Sequence, residues 1–114
     1  MTNTKFELAA RIMDVLDRND IRVTDVDEHA GKYSVEMEWY SPAGEDFLIS
    51  LWFDGTAEDF AEQFRVYAED FDPQEHAAMW YNGPGAPDLR TLLDDADEID
   101  AFLAAVAREL CGVL

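Results

Sequence analysis

The plainest pattern in the chain lies between residues 33 and 53. Tyr33, Val35, Met37 and Trp39 alternate with Ser34, Glu36, Glu38 and Tyr40, and then Phe47, Ile49, Leu51 and Phe53 alternate with Leu48, Ser50 and Trp52. A period of two is that of a strand with one buried face. Ser41-Pro42-Ala43-Gly44 between the two runs has turn chemistry, so the pattern predicts a hairpin with one continuous apolar face. Upstream, Ile21 and Val23 begin a shorter strand reaching Asp27, and Glu28-His29-Ala30-Gly31 turns the chain.

Helical spacing occupies the rest. Thr4-Lys5-Phe6-Glu7 has the form of a capping box, and Phe6, Ala9, Ile12/Met13 and Leu16 follow at helical intervals. A helix is therefore predicted over 4–18, stopped by Asn19-Asp20. Thr56 caps a second helix that carries Ala57, Phe60, Ala61, Phe64, Tyr67 and Ala68 on one stripe. Asp72-Pro73-Gln74-Glu75 starts a third, with Asp at the N-cap and Pro at the first helical position, running through Met79, Trp80 and Tyr81 to Asn82-Gly83. Residues 83–87 read as loop. Leu89, Leu92/Leu93, Ala96, Ile99, Leu103, Val106 and Leu110 then hold helical phase to the C-terminus. A kink is allowed near Asp95, which with Glu98 three residues on could cap a restart.

The order α-β-β-β-α-α-α predicts a single α+β domain over residues 1–114: an N-terminal helix, a three-stranded antiparallel meander, two shorter helices and a long C-terminal one, the helices packed on one sheet face. Val35, Met37, Ile49, Leu51, Phe60, Phe64, Ile99, Leu103 and Val106 are expected to share one core. With 114 residues, 48% hydrophobic and 12% aromatic, the chain has the material for it, which argues against disorder.

Charge changes the picture. Eight Lys and Arg against 26 Asp and Glu give a formal net charge of −18. Direct contact with DNA, RNA or an anionic membrane is disfavoured, because phosphate contacts need Lys and Arg. The distribution is uneven: residues 1–32 hold five bases and seven acids, whereas residues 33–114 hold three bases and nineteen acids. Such asymmetry is expected where one side of a protein meets something positive. The lone Cys111 forms no intrachain disulfide or multi-Cys zinc site, and its place in the last turn predicts a small buried hydrophobe. The first twenty residues carry acids inside the apolar stretch and no cleavage pattern, and no apolar run approaches the ~18 residues of a membrane span. A cytosolic protein is expected.

No residue set names a reaction. Asp94-Asp95-Ala96-Asp97-Glu98-Ile99-Asp100 departs from a calcium loop, since Ile99 takes the third ligand position and no glycine follows. His76 lacks the H-E-x-x-H spacing, and both it and His29 read as surface residues. There is no G-x-S-x-G, and Gly83-Pro84-Gly85 lacks the Lys and hydroxyl of a P-loop. No catalytic, cofactor or metal residues are expected. The candidates are partner-binding: Glu58, Asp59, Glu62, Glu69 and Asp70 on the middle helix, and Asp94, Asp95, Asp97, Glu98 and Asp100 on the last, set against the plain alternative of a solvated helix face. The hairpin's second face adds Glu36, Glu38 and Trp52, with Leu48 and Tyr40 on the same side. Cover by packing within the chain is the default there, and an exposed mix of aromatics and acids would suit a protein interface.

Taken together, the strands from Tyr33 to Trp39 and Phe47 to Phe53, followed by helix from Thr56 through Asp72, resemble the acidic anti-CRISPR proteins of phages and mobile elements. The resemblance covers about half the chain and leaves the helix from Leu89 to Leu110 without a counterpart. It implies a non-enzymatic nucleic-acid mimic that blocks the basic cleft of a host defence nuclease, with no cofactor, no direct nucleic acid and a homo-oligomer left open. Two readings stand beside it: an immunity protein or secretion chaperone protecting a basic partner, and an ordinary domain of a salt-adapted cytosol.

Overall fold

A computed structural model describes residues 9–81 and 88–114, the side chains of Trp80 and Tyr81 excepted. Along the chain these form α1 (Ala10–Arg18), β1 (Arg22–His29), β2 (Lys32–Tyr40), β3 (Asp46–Phe53), α2 (Ala57–Asp70), α3 (Pro73–Tyr81) and α4 (Leu89–Gly112). The capping box at Thr4–Glu7 and the loop at 83–87 lie outside the described residues.

The alternation in residues 33–53 resolves into an antiparallel sheet of order β1-β2-β3, with Val35 opposite Leu51 and Met37 opposite Ile49. Every second residue of β3, from Phe47 to Phe53, is buried. That face meets α2 through Phe60 and Phe64 and α4 through Ile99, Leu103, Val106 and Leu110, closing one core that also takes Ile12, Val15 and Leu16 of α1. All nine residues expected to share the core do so. Trp39 stacks flat on Phe102 of α4, ring centroids 3.8 Å apart. A smaller cluster of Ala77, Leu92 and Ala96 ties α3 to the first half of α4.

Caps fix the helix ends. Thr56 Oγ1 accepts from Asp59 N at 3.1 Å, and Asp72 Oδ1 accepts from Gln74 N and Glu75 N as its sequence signature requires. Asp88 caps α4, accepting from Thr91 N at 3.0 Å. At the end of α1, Ile21 N donates to Leu16 O and Asp20 N to Asp17 O, a Schellman motif with Asp20 in the left-handed region at φ 61°.

Three expectations are corrected. The first helix starts at Ala10, because Ala9 is extended at ψ 144° and its carbonyl receives the first helical N–H groups, from Ile12 and Met13. β1 continues to His29, since Ala30 and Gly31 alone make the turn to Lys32. α4 runs unbroken through Asp95, so no restart occurs there.

The Ala30-Gly31 turn places both residues at positive φ, 55° and 84°. A β-carbon at such a position costs about 1–2 kcal/mol, and two-residue turns of this hand favour Asn before Gly. Ala30→Asn is expected to stabilise the fold by about 0.5–1 kcal/mol, read as a higher urea midpoint. An unchanged or lower midpoint would mean that the turn stores no strain.

Candidate interaction surfaces

The structure sorts the candidate acids by what already holds them. On α2, Glu62 and Glu69 both grip Arg65 at 2.6 Å, and Glu58 faces Arg11 of α1 at 3.7 Å. Asp59, part-exposed in the first turn of α2, is engaged locally, accepting from Asp54 N before the helix at 2.8 Å and from the Gln63 amide at 3.2 Å. Asp70 is exposed and without an ion pair among the described residues. The hydrogen bonds from Arg65 hold the Glu62 carboxyl below the usual carboxylate range. Hydrogen bonds from Arg18 and Asn19 do the same for Glu109, as those from Thr56 do for Asp54 and those from Thr91 for Asp88.

A carboxyl whose pKa is lowered by folding adds stability that is complete above its unfolded value and is lost as pH falls through its native one. Acid unfolding followed by circular dichroism is therefore expected to begin below about pH 4. Glu109→Gln should flatten the last part of that transition by removing one such group. A transition unaltered by the substitution would count against the Arg18–Glu109 tie.

On α4 the run divides. Asp95 does not belong to the outer acid face: it is 4% exposed, its Oδ2 accepting from the Ser41 hydroxyl at 2.7 Å and its Oδ1 from Ala43 N at 2.9 Å. Three residues after Leu92 and four before Ile99, it lies on the inward stripe, so the helix turns its carboxylate onto the β2–β3 turn, where it still borders the hollow that Asp94, Asp97 and Glu98 line. Ser41 Oγ also accepts from Glu45 N, Ser41 N donates to Glu45 O, and Gly44 at φ 91° completes the three-residue turn of Pro42, Ala43 and Gly44 between them. His76 of α3 clamps the same loop from the other side, its ring 2.8 Å from the Glu45 carboxylate and edge-on to Phe47. It is thus a part-buried tie and not the surface residue expected, whereas His29 stays at the surface.

Asp94, Asp97 and Glu98 remain. They are exposed, carry no ion pair among the described residues, and with Thr91, Pro42 and Ala43 line an open hollow of about 610 Å³. Asp100, part-exposed, belongs to a different groove of about 780 Å³ between α2 and α4, lined by Ala68, Phe71, Ala104, Ala107 and Arg108. Cys111 opens onto that groove and is exposed, one residue off the Val106–Leu110 stripe, in place of the burial expected. Among the described residues no three or more His, Cys, Asp or Glu side chains are grouped to hold a metal ion. No described helix is long and apolar enough to cross a membrane.

The second face of the sheet is open. Tyr40, Leu48 and Trp52 are 62%, 65% and 50% exposed on it, so the cover expected from within the chain is missing among the described residues. Glu38 on this face pairs with Arg22 of β1, whereas Glu36 is exposed and stands directly opposite Asp25. Two like charges in register destabilise a sheet by an amount comparable to what a favourable pair contributes. The alternation already places all three on this face, since they share the parity of Glu36 and Glu38; what it leaves open is whether the face is covered.

No protein-family model, curated protein or solved structure matches the chain.

Proposed function

We propose that the chain is a non-enzymatic binding protein for a basic partner, occupying a cationic nucleic-acid cleft of the kind a host defence nuclease presents. The observation that carries this reading is the Asp94, Asp97 and Glu98 face of α4, where three exposed carboxylates make no ion pair among the described residues and line a shallow, open hollow. Residues three and four apart on a helix lie roughly 5–6 Å from one another, close to the spacing of phosphates along a strand. Carboxylates so placed can meet successive Arg or Lys side chains that otherwise bind nucleic acid, and the net charge of −18 steers the encounter.

The experiment is competition. A partner retained on the immobilised chain is expected to be released both by salt and by a short DNA or RNA duplex, because chain and nucleic acid share one cleft. Release by salt alone would contradict mimicry. Retention against both salt and the duplex would favour the second reading, protection of a basic protein at a dedicated interface, for which the open sheet face with Tyr40, Leu48 and Trp52 speaks: apolar anchors add affinity that salt does not screen.

A further inference from the structure

The sheet has two edges of different character. That of β1 is interrupted by a bulge at Thr24 and carries Arg22, Asp25, Asp27 and Glu28, features that deter added strands. β3 pairs with β2 residue for residue without a bulge, and Phe47–Phe53 contains no charge, Pro or Gly.

The register settles which backbone groups face outward. His29 and Lys32 flank a two-residue turn and exchange both hydrogen bonds, so even-numbered residues of β2 bond toward β1 and odd-numbered ones toward β3. The odd-numbered residues of β3 are thereby tied to β2. The N–H and C=O groups of Asp46, Leu48, Ser50 and Trp52 are left on the outer edge. Of these, the Leu48 carbonyl accepts from the Tyr67 hydroxyl of α2 at 3.3 Å. Leu48, Ser50 and Trp52 also put their side chains on the open face, so edge and face offer one surface.

We infer that β3 accepts an extended, Lys- or Arg-bearing segment of a partner protein as a fourth strand. The inference rests on the basic-partner reading and adds a second contact to that of the α4 carboxylates. Main-chain hydrogen bonds along β3 give the segment its affinity, and Leu48 and Trp52 receive its alternate side chains. Charge selects the occupant: Asp46 and Asp54 stand at the two ends of β3, and Glu36 and Glu38 are the cross-strand neighbours of Ser50 and Leu48. A cation laid across β3 also relieves the opposed Asp25 and Glu36. A second copy is the poorer occupant. Antiparallel pairing that sets Leu48 against Trp52 would bring Asp46 against Asp54 at both ends and join two bodies of −18 each. The Tyr67 hydroxyl shields the edge at Leu48 and must leave as the strand docks.

The probe is a ten-residue peptide alternating Lys and Val, compared at low salt with the same sequence carrying alternate residues in the D configuration, which keeps the charge but cannot form a strand. The all-L peptide is expected to bind the intact protein about tenfold more tightly and to slow hydrogen exchange at the Ser50 and Trp52 amides. Ser50→Pro, which removes an outward N–H that the fold does not use, should abolish that preference, and Tyr67→Phe should strengthen it. Should Ser50→Pro not fold, the exchange measurement on the unaltered protein decides alone. Equal, salt-sensitive binding of both peptides with unchanged exchange overturns strand addition and leaves the basic-partner reading standing. Binding of neither overturns the basic-partner reading itself. A dimer that Ser50→Pro dissolves would overturn the choice of occupant.

Discussion

Asp95→Ala is expected to cost about 2–4 kcal/mol of stability, the largest loss for any single acid among the described residues. The substitution removes the acceptor for the Ser41 hydroxyl and for Ala43 N in a place that is 4% exposed, leaving a buried donor without a partner. It also frees the loop that joins β2 to β3, whose other clamp is the Glu45–His76 contact. Asp95→Asn should cost less, because its amide oxygen still accepts from Ala43 N. Asp94→Ala, one residue away and exposed, should fall within about 0.5 kcal/mol of the parent. Urea unfolding of the three variants decides this, and equal midpoints for Asp94→Ala and Asp95→Ala would refute the clamp.

The contrast between Asp94 and Asp95 shows what could be read in advance. The hairpin and its core face were legible because a period of two admits one register, and a slip by one residue would have turned Val35, Met37, Ile49 and Leu51 into solvent. Helix starts at Thr56 and Asp72 were equally plain from their caps. Charge alone groups Asp95 with its neighbours, whereas the fold buries it. Its phase, between Leu92 and Ile99, already placed it on the buried stripe. Arg65 likewise stands three residues after Glu62 and four before Glu69, a pattern that predicts two ion pairs on one turn of helix. By contrast, the Arg11–Glu58 and Glu45–His76 contacts join elements distant in sequence, and no local pattern reveals them. Cover of the second sheet face was also beyond local reading, since a row of Glu36, Glu38, Tyr40, Leu48 and Trp52 is compatible with either outcome until the helices are placed.

Neutralisation within α2 makes the two acidic helices unequal, which sharpens the functional expectation. The charge-reversed triple Asp94→Lys, Asp97→Lys and Glu98→Lys should weaken binding to the basic partner about a hundredfold or more at low salt, since each reversal replaces an attraction by a repulsion. Its fold should be retained or gain stability as self-repulsion falls. Reversal of Glu62 and Glu69 should reduce affinity far less, for these carboxylates are already engaged by Arg65. Reversal of Asp14 and Asp17 on α1, in the nearly balanced first third of the chain, should matter least.

The direct test of the account is the dissociation constant of the partner complex for these three variants, measured across a salt series by calorimetry. A selective loss for the α4 triple, together with a shallower dependence of log Kd on log salt than the unaltered protein shows, is the predicted result. Equal losses from α4, α2 and α1 reversals would contradict it, because net charge alone would then steer the association and no defined face would make the contact.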